Sequence, residues 1–320
     1  MNANSIKYLI ILLFIVNQSL SQGALSIGFW NVENLFDLEN NPHKNDDEFA
    51  LNGRKNVDKK IYDLKIKNSS EVIRDLNVDI LGLCEVENMA VLKDLNNSYY
   101  ERDYKIIHYE SPDRRGIDNA LMYDENRFKV LSSLPITNNL ENRGTTRDIL
   151  YVKGSYENQI LHIFINHWPS NYGGKEKSIP KRLSTAKLLL NEIKKIQLYD
   201  QWAEIILLGD FNENPDDSNI KLLEEIGLVS LMKPMVDMPK TGTYVYRGKD
   251  YLYDQIIVNQ GLMDSENLKI NSRSISILDL PKYRQQEGKY KHYPFRFWAG
   301  NRLLGGYSDH LAIRVEIINL

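Results

Sequence analysis

The chain has 320 residues, 42% of them hydrophobic and 26% charged, and a formal net charge of -3. These are ordinary values for a globular protein with a sizeable core, and they exclude a broad nucleic-acid-coating surface but not a local basic cleft. The single cysteine, Cys84, excludes an intramolecular disulfide and a zinc site built from several thiolates.

At the N-terminus, Lys7 precedes an apolar run over residues 8–16, and the small residues Ser19 and Ser21 follow. That is the pattern of a secretory signal peptide cleaved near Ser21, and the run is short for a membrane span. The expectation is a signal peptide over residues 1–21, then one domain over residues 22–320 of an exported protein, periplasmic or secreted; an uncleaved anchor is the alternative. Residues 24–30 read as a strand ending at Asn31, and residues 37–54 as a polar loop. Apolar spacing predicts a helix over 57–76, a buried strand over 78–84 ending at Glu85, and a short helix over 89–95.

Strands are expected at 104–109, 119–123 and 127–131, followed by a hairpin of 148–156 and 159–166 turning at Glu157-Asn158 and ending at His167. Residues 180–196 form an amphipathic helix pattern that starts at Pro180. Residues 204–208 are a buried strand that runs into Gly209-Asp210-Phe211-Asn212, and a helix over 218–226 follows. Residues 242–246 and 252–258 read as paired strands, the second carrying Asp254. Residues 270–278 read as a strand, 281–306 as a long polar and aromatic loop, and 311–318 as the closing strand after Ser308-Asp309-His310. Many strands interleaved with a few helices, with no composition break, imply one domain of two packed sheets and flanking helices.

The polar residues recur in one context, at the end of a buried strand. Residues i and i+2 of an extended chain point to the same side, so Asp210 and Asn212 face one place together. Alone, that pair is equally an Asx-turn. Asn31, Glu33, Glu85, His167, Asp309 and His310 stand at comparable strand ends, and one sheet edge would bring them together. Carboxylates and carboxamides are hard oxygen ligands suited to Mg2+, with Mn2+ or Ca2+ possible. No HExxH helix or Gly-rich P-loop is present, and no serine or cysteine nucleophile motif, which points to water attacking a phosphodiester.

The segments Phe29-Trp30-Asn31-Val32-Glu33-Asn34, Leu83-Cys84-Glu85-Val86-Glu87, Ile165-Asn166-His167, Leu208-Gly209-Asp210-Phe211-Asn212, Leu252-Tyr253-Asp254-Gln255-Ile256 and Ser308-Asp309-His310-Leu311 lie in this order across nearly the whole mature chain. Each is weak alone. Together the chain resembles the endonuclease/exonuclease/phosphatase superfamily, the group of DNase I-like and exonuclease III-like enzymes, sphingomyelinases and inositol polyphosphate phosphatases. The resemblance implies an α/β four-layer sandwich, with two central, mostly antiparallel sheets flanked by helices.

It also implies roles. Glu85 is the principal metal carboxylate and Asn31 helps to bind metal or phosphate. Glu33 falls where some members carry a second acidic ligand, and Asp309 adds a metal contact. Asp210 orients or deprotonates the attacking water, and Asn212 steadies it. His310, held by Asp254, stabilises charge on the phosphoryl group or protonates the leaving oxygen. His167 matches a second histidine of the DNase and sphingomyelinase branches, with Asp118 as its expected partner. Asn166, Trp168, Arg115 and Asp118 are candidate substrate contacts, and Arg114, Lys175, Lys177, Lys181 and Arg182 a candidate phosphate rim. Glu87 is expected at the surface; His43, His108, His162 and His292 are read as structural or surface residues. The implied function is a secreted, metal-dependent endonuclease, with DNA the favoured substrate, working as a monomer. The alternatives are the same chemistry on a phospholipid head group or a small phosphoester, or an inactive binding module.

Overall fold

The computed structural model describes residues 23–140, 144–264 and 267–320; the expected signal peptide over residues 1–21 lies outside the described residues. The first half runs β1 (Leu25–Leu35), α1 (Lys59–Leu76), β2 (Ile80–Val86), α2 (Met89–Ser98), β3 (Lys105–His108), β4 (Asp118–Tyr123), β5 (Lys129–Ile136), β6 (Ile149–Tyr156) and β7 (Gln159–His167). The second half runs α3 (Lys175–Tyr199), β8 (Glu204–Asp210), α4 (Ser218–Glu224), β9 (Leu228–Ser230), β10 (Tyr244–Tyr246), β11 (Lys249–Tyr251), β12 (Asp254–Asn259), α5 (Gln260–Asp264), β13 (Leu268–Ile277), β14 (Trp298–Ala299), β15 (Arg302–Leu303) and β16 (Ile313–Asn319). Two six-stranded sheets result, ordered β13-β16-β1-β2-β4-β3 and β5-β6-β7-β8-β12-β9.

The continuous apolar runs have a simple cause: their strands are covered on both faces. Leu25, Ile27 and Phe29 of β1 meet Ile163, Ile165, Ile206 and Leu208 of β7 and β8 between the sheets. The alternate residues Trp30 and Val32 pack outward with Ile66, Ile73 and Leu76 of α1 and Leu92 of α2. On the other side Ile205 and Leu207 pack outward with Ala186, Leu189 and Ile193 of α3. The layers are therefore helix, sheet, sheet, helix, which is the expected four-layer sandwich.

Most neighbouring strands are antiparallel, but β1 pairs with β2, and β7 with β8, in parallel. A parallel pair needs a crossover, supplied by α1 and α3 respectively. Each sheet thus contains one βαβ unit, and the carboxyl ends of such strands are where α/β sheets bind ligands.

Several boundaries differ from expectation. α3 begins at Lys175, more than a turn before Pro180, because Ser178 bonds back to the Gly174 and Lys175 carbonyls and stabilises the extra turn. Residues 244–246 do not pair with 252–258. They form a hairpin with β11, whereas β12 joins the large sheet between β8 and the short, unexpected β9. Glu157 and Asn158 both have positive φ, as the two-residue turn between β6 and β7 requires. Cys84 is fully buried. Among the described residues, no helix is long and apolar enough to cross a membrane.

His162 on β7 is 5% exposed, and its Nδ1 accepts the Tyr151 hydroxyl at 2.7 Å. Burial, helped by Lys153, pushes its pKa down from 6.5 to about 4. The unfolded chain therefore binds this proton first as pH falls, so the stability present above pH 6.5 declines as pH drops towards 4. His162→Gln should show a shallower decline of the urea midpoint over that window than the parent.

Candidate active site

Two of the site's carboxyl-end segments depart from regular strand geometry. The β1–β2 ladder jumps from Asn31↔Cys84 to Leu35↔Val86, and β2–β4 jumps from Cys84↔Asn119 to Val86↔Asp118. Glu85 is the bulged residue, with φ +62, and Glu33 and Asn34 have φ +55 and +53. A left-handed conformation costs a non-glycine residue roughly 1–2 kcal/mol, and bulges re-aim side chains beside functional sites. The expected strand end at Cys84 is thus a strand that continues, with Glu85 turned out of its alternation.

In the other sheet the side chains are aligned by register. His167 on β7 pairs with Asp210 on β8, which pairs with Asp254 on β12, so one row crosses three strands. Gly209 is required here: a Cβ would lie 2.5 Å from the Asn166 carbonyl oxygen of the neighbouring strand. Asp210 Oδ1 accepts the Asn212 amide N–H at 3.0 Å, closing a turn in which Asn212 takes φ +52. Asn31 Nδ2 reaches across from the first sheet to Asp210 Oδ2 at 3.1 Å.

His310 is fixed from several sides. Its N–H donates to Ser308 Oγ, which itself donates to the Asn31 carbonyl, and the Tyr244 ring stacks on the imidazole at 4.7 Å. Nδ1 meets Asp254 Oδ2 at 2.7 Å, and Nε2 lies 3.8 Å from Asp210 Oδ2. Burial opposes the charged ring, but Asp254 and Asp210 outweigh it and hold the pKa well above the ordinary value. At neutral pH both ring nitrogens therefore carry protons. Asp210, buried and facing Asp254, has its pKa pushed up to about 7, with His310 pulling the other way.

His167 behaves oppositely. Burial, then Arg147 and Arg115, hold its pKa well below the ordinary value, so the ring is neutral. Nε2 lies 3.8 Å from Glu85 Oε1 and 3.7 Å from Asp210 Oδ2, while Nδ1 is buried without a partner. A proton on Nε2 suits this setting, because a bare lone pair there would face two carboxylates. Arg147, which sequence reading missed, is buried and donates to the Trp168 carbonyl and to Asp113.

These groups open into a cleft of about 740 Å³ whose walls include Asn31, Glu85, His167, Asp210, Asn212, Asp309 and His310. Asn171, Tyr172, Lys175 and Tyr253 also line it, and Lys175 is the one expected rim cation among them.

Four expected contacts lie elsewhere. Asp118 does not partner His167; it meets His108 Nε2 at 2.9 Å and accepts the Ser111 N–H. Asn166 donates to the Phe164 and Leu208 carbonyls and accepts from Trp168 Nε1, which ties strands together rather than facing the cleft. Trp168 is fully buried against Phe211, although its carbonyl anchors Asn212 Nδ2. Arg115 is an exposed neighbour of Asp113 and does not line the cleft.

Glu33 is also turned away: it accepts the N–H groups of Phe297 and Trp298 and faces Arg296. The cause is the left-handed backbone at Glu33, and burial pushes its pKa up to about 7. Glu33→Gln should lower thermal stability, measured by calorimetry, without removing metal dependence from any turnover. Asp309 stays at the cleft wall but pairs with Arg296 at 2.6 Å. Glu87 is buried, not exposed, because it accepts the Asp37 N–H in folding loop 37–54 down; burial and neighbouring acids push its pKa up to about 8. Arg182 is no rim cation: it is fully buried and bonds Glu213 at 2.8 Å.

The residues fit a divalent cation. Glu85 and Asp210 converge with a neutral imidazole, and among the described residues no lysine or arginine lies within ion-pair distance of either carboxylate. Glu85, with Asn31 and Asn34 beside it, offers the hard donors that Mg2+ prefers. Asp210, Asp254 and His310 also lie close enough to surround an ion, but there Asp254 Oδ2 is already engaged by His310 Nδ1 at 2.7 Å.

The Endonuclease/Exonuclease/phosphatase family matches residues 26–319. The chain belongs to this family. Its members are phosphoester hydrolases that depend on a divalent metal, and the acidic groups of this cleft accord with that. Solved structures with the same fold include truncated TDP2 from Caenorhabditis elegans, at 17% identity and TM-score 0.59, covering 94% of this chain and 100% of that one. TDP2 from D. rerio, complexed with a single-strand DNA product, has 16% identity and TM-score 0.60 over 92% of this chain and 99% of that one. The human Nocturnin catalytic domain with bound sulfate has 18% identity and TM-score 0.58 over 93% and 95%. At these identities the likeness concerns the fold. No curated protein matches the chain.

Proposed function

We propose that this family member is an exported, Mg2+-dependent phosphodiesterase that cleaves nucleic acid, with DNA the favoured substrate. The observation that carries the reading is the meeting of two carboxyl-end clusters in one cleft: Asn31 and Glu85 from one sheet, His167, Asp210 and Asn212 from the other, with His310 between them. The DNA product held by the D. rerio relative supports a nucleic-acid substrate.

Glu85 and Asn31 would hold the cation, which supplies positive charge to a phosphoryl oxygen. Asp210 takes the proton of the attacking water; its raised pKa suits a base working near neutral pH. Asn212, fixed by Trp168 and the Asp210 turn, borders the position of that water. His310 donates from Nε2 to the phosphoryl or leaving oxygen, while Asp254 keeps the ring charged and oriented. His167 adds a neutral Nε2–H donor, and Asp309 keeps Arg296 at the rim. The test is turnover of single-stranded and plasmid DNA, RNA, sphingomyelin and inositol phosphates by the pure protein. Preferential DNA cleavage is expected; sphingomyelin or inositol phosphate as the sole substrate would overturn the nucleic-acid reading.

A further inference from the structure

The cleft continues past Asp309 into a second cavity of about 730 Å³, a size that holds a sizeable ligand. The two share Tyr244, Tyr246, Arg247 and Asp309 as a common wall. The remaining lining comes largely from residues 285–304, including Lys289, Tyr290 and Tyr293. Three features give this cavity a chemistry.

The first is charge. Arg247 and Lys289 are exposed, each lies near a tyrosine ring (Tyr246 at 5.3 Å, Tyr290 at 5.5 Å), and neither has a carboxylate within ion-pair distance among the described residues. The second is apolar ring surface left in water: Tyr246 is 50% and Tyr290 52% exposed. The third is how Arg247 is displayed. Tyr246 pairs with Lys249, so Arg247-Gly248 is a two-residue hairpin turn with φ +50 and +80. Such turns favour Asn-Gly, and an arginine there pays for a left-handed backbone. The hairpin is also tied to the other wall, since the Gly248 N–H donates to the Tyr293 hydroxyl.

We propose that this cavity takes the nucleotides flanking the cleaved phosphate of a single-stranded polynucleotide. Tyr246 and Tyr290 are the stacking faces, and Arg247 and Lys289 meet backbone phosphates. The inference rests on the hydrolytic reading only for where the scissile phosphate lies. Alternating rings and unpaired cations match a chain of alternating bases and phosphates. Bases inside a duplex are already stacked and cannot use the rings. A choline head group also seeks tyrosines, but Arg247 and Lys289 would repel its cation.

The test is equilibrium binding of fluorescein-labelled octathymidylate in EDTA, in parent, Tyr290→Ala, Arg247→Asn and Tyr100→Ala proteins. Tyr100 is 81% exposed and outside both cavities. Tyr290→Ala should weaken binding roughly tenfold, the order produced by losing one base–ring stack. Arg247→Asn should weaken it while leaving the melting temperature unchanged or higher, since asparagine tolerates the left-handed turn better; a loss of binding through misfolding would lower it. Tyr100→Ala should bind as the parent, and a duplex of the same length should compete poorly. The assignment is overturned if the parent does not bind the octamer, if both cavity variants bind it as the parent does, or if duplex or sphingomyelin vesicles displace it as well as unlabelled octamer. Cleavage is scored separately with Mg2+: an octamer bound as predicted but left intact would refute the hydrolytic reading and leave the cavity assignment standing.

Discussion

Asp210→Asn should lower phosphodiester turnover by roughly 10²–10⁴-fold, the contribution of a positioned general base. The substitution keeps the shape of the side chain but removes its basicity. It leaves the local fold largely in place: an amide retains one acceptor oxygen, so either the Asn212 N–H or the Asn31 Nδ2 contact survives, and Asp254 still meets His310 Nδ1, although His310 loses one of the two carboxylates that favour its charged form. The loss should therefore appear in kcat, with an unchanged circular dichroism spectrum. Turnover at the parent rate would remove Asp210 from the chemistry and leave it a turn-closing residue, the reading its neighbours Gly209 and Asn212 suggest on their own.

Arg182→Met should produce a large loss of stability among single substitutions, of about 3–5 kcal/mol, the order found when one partner of a buried ion pair is removed. Glu213, 1% exposed, would be left buried without the guanidinium. The consequence reaches the cleft. Glu213 also accepts both the backbone N–H and side-chain amide of Asn219, and its carbonyl accepts Gln255 Nε2, so it holds the loop that follows Asn212. Arg182 in turn grips the Pro169 carbonyl and Ser178 Oγ. Replacing both members together, Arg182→Met with Glu213→Leu, should recover part of the loss in urea denaturation, because no unpaired buried charge remains. A single variant as stable as the parent would contradict the pair's structural role.

The pattern of what was legible follows from these cases. Strands such as β8 were visible because burial on both faces produces unbroken apolar runs, and residues at their carboxyl ends were visible because hard polar groups there lack a packing reason. Register then placed His167, Asp210 and Asp254 in one row, which no local signal encodes. Glu33 and Glu85 look alike in sequence, each following an apolar strand, yet opposite uses follow from bulges whose left-handed backbones aim one at loop residues 296–298 and the other at the cleft. Asn166 and Trp168 were misread because proximity in sequence to His167 does not set direction: Asn166 is its neighbour on the opposite face of β7, and Trp168, just past the strand, packs against Phe211. Asp118 was assigned to the wrong histidine for a related reason: β3 lies beside β4, which carries His108 to it. The β10–β11 hairpin was missed because Arg247 occupies a turn position where asparagine is the usual signal.

The most direct measurement is hydrolysis of single-stranded oligonucleotide by the purified protein after exhaustive chelation, then on back-titration with Mg2+, in parent and Glu85→Gln proteins. No turnover is expected in EDTA, with full recovery in the parent on adding Mg2+ and little recovery in Glu85→Gln at the same concentration. Turnover that persists in EDTA, or equal Mg2+ recovery in both proteins, would contradict a metal-dependent phosphodiesterase centred on Glu85 and Asp210.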